Sequence, residues 1–236
     1  MLSEEVLKGT LSASVRNSLL ELAALANIAD MVPQVADNEI FVEQGLRSLQ
    51  HTFRPGLRVF LDILGQGEVA AGGYFKIISA INAAESIDFK NQSYELLTSA
   101  SSKHARQLAE DLIGRIQYKQ QRIKEISEEV DRRASQKADE PIVFEGDPAW
   151  KLTLAGAVAS IVTKKHEKPA FIFKRGDTES CGSVRTFQEE HNSVEAMKTC
   201  SDLLMTYGGH PKASGFRVKN ENLNQFKQCL INYFKK

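Results

Sequence analysis

Apolar side chains fall at helical intervals through the first part of the chain and change to short strand-like runs after residue 140. Leu19, Leu22, Ala23 and Ala26 follow a 3.6-residue spacing that predicts a first helix, stopped soon after by Pro33. A second short helix is predicted over 38–50, with Val42, Leu46 and Leu49 as its apolar stripe. In HTFRPGLRVFLDILGQG the chain breaks at Pro55 and Gly56, then forms another short helix ending at Gly65. AAGGYFKIISAINAA reads as a glycine turn followed by a strand over 74–78.

The strongest pattern lies between residues 101 and 134. Ala105, Leu108, Leu112, Ile116, Ile123, Ile126 and Val130 form one face of a long helix, with Lys, Arg, Glu and Gln on the others. At 1.5 Å per residue such a helix runs about 50 Å, too long for one compact domain to cover. It is expected to join two domains; half of a helical hairpin within one domain is the alternative.

After the polar stretch SQKADE, strands and helices interleave. PIVFE predicts a strand, and 154–165 a helix with Val158, Ile161 and Val162 inward. PAFIFK and CGSVRTF predict two strands paired across the RGDTES turn. Val194, Met197, Ser201 and Leu204 suggest a helix, ASGFRVK a strand, and Leu223, Phe226, Leu230 and Phe234 a last helix. This alternation over some 95 residues indicates a small mixed α/β domain.

Composition narrows the class. Of 236 residues, 42% are hydrophobic and 25% charged, the proportions of a globular protein rather than a disordered or collagen-like chain. No apolar run reaches the length of a membrane-spanning helix, and MLSEEVLKGT does not resemble a signal peptide. Cys181, Cys200 and Cys229 are odd in number and never form a CxxC pair. On that ground neither a disulfide framework nor a cysteine zinc site is expected, and a reducing cytoplasm is. The net charge of zero hides an asymmetry. From Pro141 onward there are 14 basic and 10 acidic side chains, and before it 16 and 20. A mildly basic C-terminal part is compatible with nucleic acid.

Candidate chemistry gathers in two places. In YGGHPKASGF, Gly208 and Gly209 leave the backbone bare for an anion and His210 adds a ring donor. The same residues also read as a Gly-Gly helix cap followed by an exposed histidine. In GSVRTF, Ser183 and Arg185 stand two apart on a strand and so face one side, a hydroxyl beside a guanidinium fork suited to a phosphodiester.

These motifs carry a resemblance. GSVRTF, YGGHPKASGF and LAGAVASIVTKKHEKPAFIF resemble the DHH-associated C-terminal domain of RecJ-type phosphoesterases. ALANIADMVPQVADNEIFVEQGLRSLQHTFRPGLRVFL and ISAINAAESIDFKNQSYELL resemble the end of the RecJ catalytic domain and the segment leading into its connecting helix. The resemblance implies an α/β fold in three parts. These are a remnant of the DHH catalytic domain over 1–100, a long connecting helix over 101–138 and a DHH-associated domain over 139–236. It also implies a nucleic-acid or phosphate site at Ser183, Arg185, Gly208, Gly209 and His210, and places a metal-ligand position of a two-metal nuclease at Asp30.

The chain departs from that family in lacking an Asp-His dipeptide, paired histidines and two aspartates spaced two apart. One carboxylate cannot hold two ions. Where the family has an arginine the chain has Ala80, and where it has Gly-Arg the chain has Glu85 and Ser86. The expectation is therefore a chain that starts at its own Met1, is not an enzyme, uses no cofactor and keeps Asp30 only as a relic. It resembles archaeal, nuclease-dead relatives of a CMG helicase subunit, which implies GINS and MCM as partners, weak single-stranded DNA binding and a place at the replication fork. The alternative is a C-terminal fragment of an active 5′–3′ single-stranded DNA exonuclease.

Overall fold

The computed structural model describes residues 12–65, 67, 72–84, 86–87, 90–187 and 191–235. The chain divides into two compact units, 1–118 and 119–236.

Helices build the first unit: α1 (Ala13–Ala29), α2 (Asp37–Leu49), α3 (Pro55–Leu64), α4 (Tyr74–Asn82) and α5 (Gln92–Thr98), with the first part of α6 (Ser102–Ser135). The strands β1 (Ser86–Ile87) and β2 (Lys90–Asn91) form a two-residue antiparallel pair. Pro55 opens α3, where its missing N–H costs no hydrogen bond. Gly65 ends the helix at φ 85°, a conformation that favours glycine. Asn91 caps α5 by accepting from the Ser93 and Tyr94 amides.

The phase of α1 differs from expectation. Leu20, Glu21, Ala24, Leu25 and Ile28 are buried, whereas Leu19 and Leu22 are half-buried and Ala26 is exposed. The helical spacing holds, but the inward stripe lies one position further along. Glu21 is buried with a carboxylate satisfied by the Ser48 and Thr52 hydroxyls at 2.7 and 2.6 Å. The strand expected over 74–78 is instead helix α4. Tyr74, Ile77, Ile78 and Ile81 meet the core at helical spacing, and Lys76 is exposed. Ala80 is fully buried there, so this position is a packing site rather than charge lost from an open surface. Glu85 lies outside the described residues.

The boundary between units falls inside α6, between Tyr118 and Lys119. Ala105, Leu108, Ala109 and Leu112 join the core of the first unit; Ile126, Val130 and Ala134 join a core of the second.

The second unit is a five-stranded sheet with helices. Its strands are β3 (Val143–Asp147), β4 (Ala170–Arg175), β5 (Glu179–Arg185), β6 (Leu204–His210) and β7 (Ala213–Lys219), in the order β3-β4-β5-β7-β6. The β3–β4 pair is parallel, joined by the crossover helix α7 (Leu152–His166), and the other pairs are antiparallel. On one face lie α8 (Ser193–Lys198) and α9 (Leu223–Phe234). They enclose Phe144, Phe171, Phe173, Phe216 and Phe226, with ring centroids as close as 4.9 Å. On the other face α7 and the end of α6 cover Val143, Ala170 and Ile172. Ile161 of α7, expected inward, is exposed; Val158 and Val162 carry the contact. The helix expected through Leu204 ends at Lys198, and Leu204 opens β6.

Polar ties hold the end of α6 to this unit. Arg133 bonds Asp147 at 3.0 Å and lies over the Trp150 ring at 5.2 Å. The backbone N–H of Ala149 and the Arg133 guanidinium hold the Asp147 carboxyl below the ordinary aspartate range. Lys165 does the same for Asp131, with His166 adding a second contact at 3.0 Å.

Cys200 and Cys229 form a disulfide and Cys181 is free, contrary to the expectation of no disulfide. The bridge joins the segment after α8 to α9, whose Cα atoms come within 6.1 Å, a closeness that a separation of 29 residues does not announce. The cysteine argument for a reducing compartment therefore falls. Among the described residues, no helix is long and apolar enough to cross a membrane.

Candidate nucleic-acid interface

Alternation on β5 sends Ser180, Gly182 and Val184 to one face and Cys181, Ser183 and Arg185 to the other. Ladder register then extends that second face across three strands. Arg185 pairs with Ala213, which pairs with His210; Ser183 pairs with Gly215, which pairs with Gly208. Directly paired residues point to the same side. Arg185 and His210 thus stand two strand spacings apart, about 10 Å, with the Ala213 methyl between them. Beside them Gly208 and Gly215 leave bare backbone. The arrangement sets a cation and a hydroxyl on the β5 side, a ring donor on the β6 side and small residues between them.

Helix α7 leaves room for this group at Gly156. A Cβ there would stand 3.0 Å from Arg185 Nη2 and 3.7 Å from Ser183 Oγ. The other guanidinium arm, Nη1, donates to the Val184 carbonyl at 2.8 Å, which fixes the fork. Sequence reasoning misses Gly156, although a lone glycine inside an apolar helix costs about 1 kcal/mol against alanine and so marks a packing constraint.

The glycine–histidine segment is placed differently from the turn or helix cap expected of it. Gly208, Gly209 and His210 belong to edge strand β6, and Pro211 and Lys212 make the connection to β7. Gly209 has φ 131°, and a Cβ would meet the Ala213 carbonyl oxygen at 2.6 Å, so glycine is required by the fold. Gly208 has open space where its Cβ would be. The hairpin tip is tied down by the Ser193 backbone N–H and hydroxyl, which donate to the Pro211 carbonyl at 3.0 and 2.7 Å. His210 is exposed, and its ring has no hydrogen-bond partner among the described residues.

Next to Ser183 and Gly215 opens a groove of about 340 Å³, lined by Leu152, Cys181, Thr206, Gly208, Gly215 and Arg217. Arg217 sits at the third residue of the same alternation after Ala213 and Gly215, a signal available in ASGFRVK.

Residues 139–236 match the DHHA1 domain. The chain is also 27% identical over 221 residues to the single-stranded-DNA-specific exonuclease RecJ of Bacillus subtilis, covering 91% of this chain and 28% of that protein. RecJ of Thermus thermophilus is 29% identical over 216 residues, covering 90% and 31%. A crystal structure of exonuclease RecJ bound to manganese superposes with a TM-score of 0.77 at 25% identity, covering 100% of this chain and 58% of that one. These likenesses support a RecJ-type DHH protein in its C-terminal portion. The chain spans about three-tenths of the length of these two curated relatives.

The same findings correct the expectation that the chain is not an enzyme. The relatives are named as exonucleases, and ligands missing from so small a share of their length do not argue against catalysis. None of these names mentions GINS, MCM or a replicative helicase. Asp30, the expected ligand position, is exposed at the end of α1. Among the described residues, no three His, Cys, Asp or Glu side chains gather closely enough to hold a metal ion. The described residues do not fit a two-metal centre.

Proposed function

We propose that this chain serves as the C-terminal portion of a RecJ-type single-stranded-DNA exonuclease, and that the open face of β5, β7 and β6 holds the strand's sugar–phosphate backbone. The observation that carries this reading is the alignment of Ser183, Arg185 and His210 on one side of three strands, over a floor of Ala213, Gly208 and Gly215. The Arg185 fork suits a phosphodiester, the histidine ring supplies a further donor, and the bare backbone admits the chain closely. Phosphate contacts of this kind position a strand without reading its sequence.

Fluorescence anisotropy with a labelled oligonucleotide tests the reading. The wild-type chain should bind single-stranded DNA with a dissociation constant of roughly 10⁻⁴–10⁻⁶ M and lose it as salt rises. Arg185→Ala should cost about 1.5–3 kcal/mol of that binding, the range for hydrogen bonds to charged groups. Unchanged binding in an Arg185→Ala, His210→Ala double variant that keeps its circular dichroism spectrum would overturn it.

Association with GINS and MCM, and with it a place at the replication fork, is proposed on the sequence resemblance alone. A tagged chain that retains neither complex through a salt wash would remove both partners from the account.

A further inference from the structure

We propose that the groove beside the Ser183 row is a second-nucleotide subsite, with Arg217 as its anion-binding residue. This inference rests on the reading of the sheet face as a strand-binding surface and extends it by one step. The open face carries three parallel rows of side chains: Arg185, Ala213 and His210; then Ser183, Gly215 and Gly208; then Cys181, Arg217 and Thr206. Successive rows are two residues apart, about 7 Å along an antiparallel strand, comparable with one nucleotide step of an extended backbone. The groove of about 340 Å³ begins at the middle row and ends at the third. It therefore reaches, at Gly208 and Gly215, the row next to Ala213 and His210.

Its chemistry suits a nucleotide. Gly208 and Gly215 leave a flat floor of peptide planes against which a base can lie. Leu152, 43% exposed at the start of α7, supplies an apolar wall. Thr206 adds a hydroxyl on the neighbouring edge strand. Arg217 is exposed and contacts Glu179 at 3.4 Å, with both side chains substantially solvated. Exposed pairs of this kind are weak, so a phosphate can share or displace the contact. A guanidinium also stacks on a base face, which gives Arg217 two ways to hold the same nucleotide.

Cys181 makes the groove addressable without mutation, because it lines the groove and the other two cysteines are joined to each other. The experiment compares thymidine monophosphate with a 5′-phosphorylated tetrathymidylate on the chain, by NMR titration and by the rate of Cys181 alkylation with iodoacetamide. Saturating tetranucleotide should slow alkylation several-fold and the mononucleotide should not. Arg217→Gln should weaken the tetranucleotide about fivefold, equivalent to about 1 kcal/mol, and leave the mononucleotide within twofold. Arg185→Gln should weaken both. If Arg185→Gln weakens both ligands while Arg217→Gln changes neither and Cys181 reacts equally with and without tetranucleotide, the subsite is overturned and the strand-binding face stands. If Arg185→Gln changes neither ligand, the face itself falls and the subsite falls with it.

Discussion

The two faces of one sheet are both covered by helices, but to different extents. Toward α8 and α9, strands β3, β4 and β7 contribute Phe144, Phe171, Phe173 and Phe216, which close on Phe226 in one aromatic cluster. Toward α7, β3 and β4 carry Val143, Ala170 and Ile172, the helix passes over Ser183 and Arg185 of β5 at Gly156, and there the cover stops. Ala213, Gly215, Gly208 and His210 follow across the sheet, and among the described residues of the second unit no helix covers β6 and β7 on that side. A single strand shows the division. In β5, Val184 is fully buried while Ser183 and Arg185 on either side of it are half-buried. Both sides bury apolar side chains, but on the α7 side that core stays with β3 and β4, which leaves the β7 and β6 part of that side polar and small.

The comparison is broken most forcefully by removing an aromatic ring. Phe226→Ala should cost about 3–5 kcal/mol of stability, as for other buried Phe truncations. The oligonucleotide affinity of the remaining folded fraction should stay unchanged. Calorimetry and anisotropy at low temperature separate the two effects. Coupled loss of affinity in the folded fraction would mean the faces are not independent.

The paired glycines give the next largest contrast. Gly209→Ala forces a methyl against the Ala213 carbonyl at a φ that side chains avoid, and should lose about 1–3 kcal/mol on denaturant unfolding. Gly208→Ala meets no atom and should unfold within about 0.5 kcal/mol of wild type, as surface changes do, while reducing DNA affinity by covering bare backbone.

Gly156→Ala should move the two properties in opposite directions. Replacing a helical glycine stabilises by about 1 kcal/mol at most, less whatever the tight contact with Arg185 takes back. The new methyl makes the Arg185 guanidinium give by a few tenths of an ångström, so affinity should fall about two- to threefold, within the spread of a single perturbed contact. A rise in both would mean the notch does not position Arg185.

The smallest effect is acid sensitivity on the covered side. Asp147 and Asp131 have carboxyls held below the ordinary range, so their contribution is full above about pH 4, where unfolded aspartate ionises. It is lost as pH falls through the lower folded values. Melting temperature should fall below about pH 4, and Asp147→Asn should flatten that fall by an amount equivalent to about 1 kcal/mol or less.

Much of this is legible in the residues. The stripe from Ala105 to Val130 identifies α6, and two-residue alternation places Ser183 and Arg185 on one side, because both depend only on local periodicity. What fails depends on distant pairing. The Gly-Gly segment reads as a turn or cap because glycine permits either, and only pairing with Gly215 and Ser214 makes it a strand. The order β5-β7-β6 places Ala213 between Arg185 and His210, and the disulfide joins Cys200 to Cys229; neither closeness leaves a trace in spacing. In α1 a one-position error of phase is enough to choose the wrong leucines.

The claim that single-stranded DNA lies on the open sheet face is tested most directly by photocrosslinking. A 4-thiothymidine oligonucleotide is irradiated on the wild-type chain and the adducts are located by mass spectrometry. The account predicts adducts concentrated in β5, β6 and β7 and in the residues bordering them at the start of α7. Adducts confined to the helices of residues 12–118, or to the α8 and α9 side of the sheet, would contradict it.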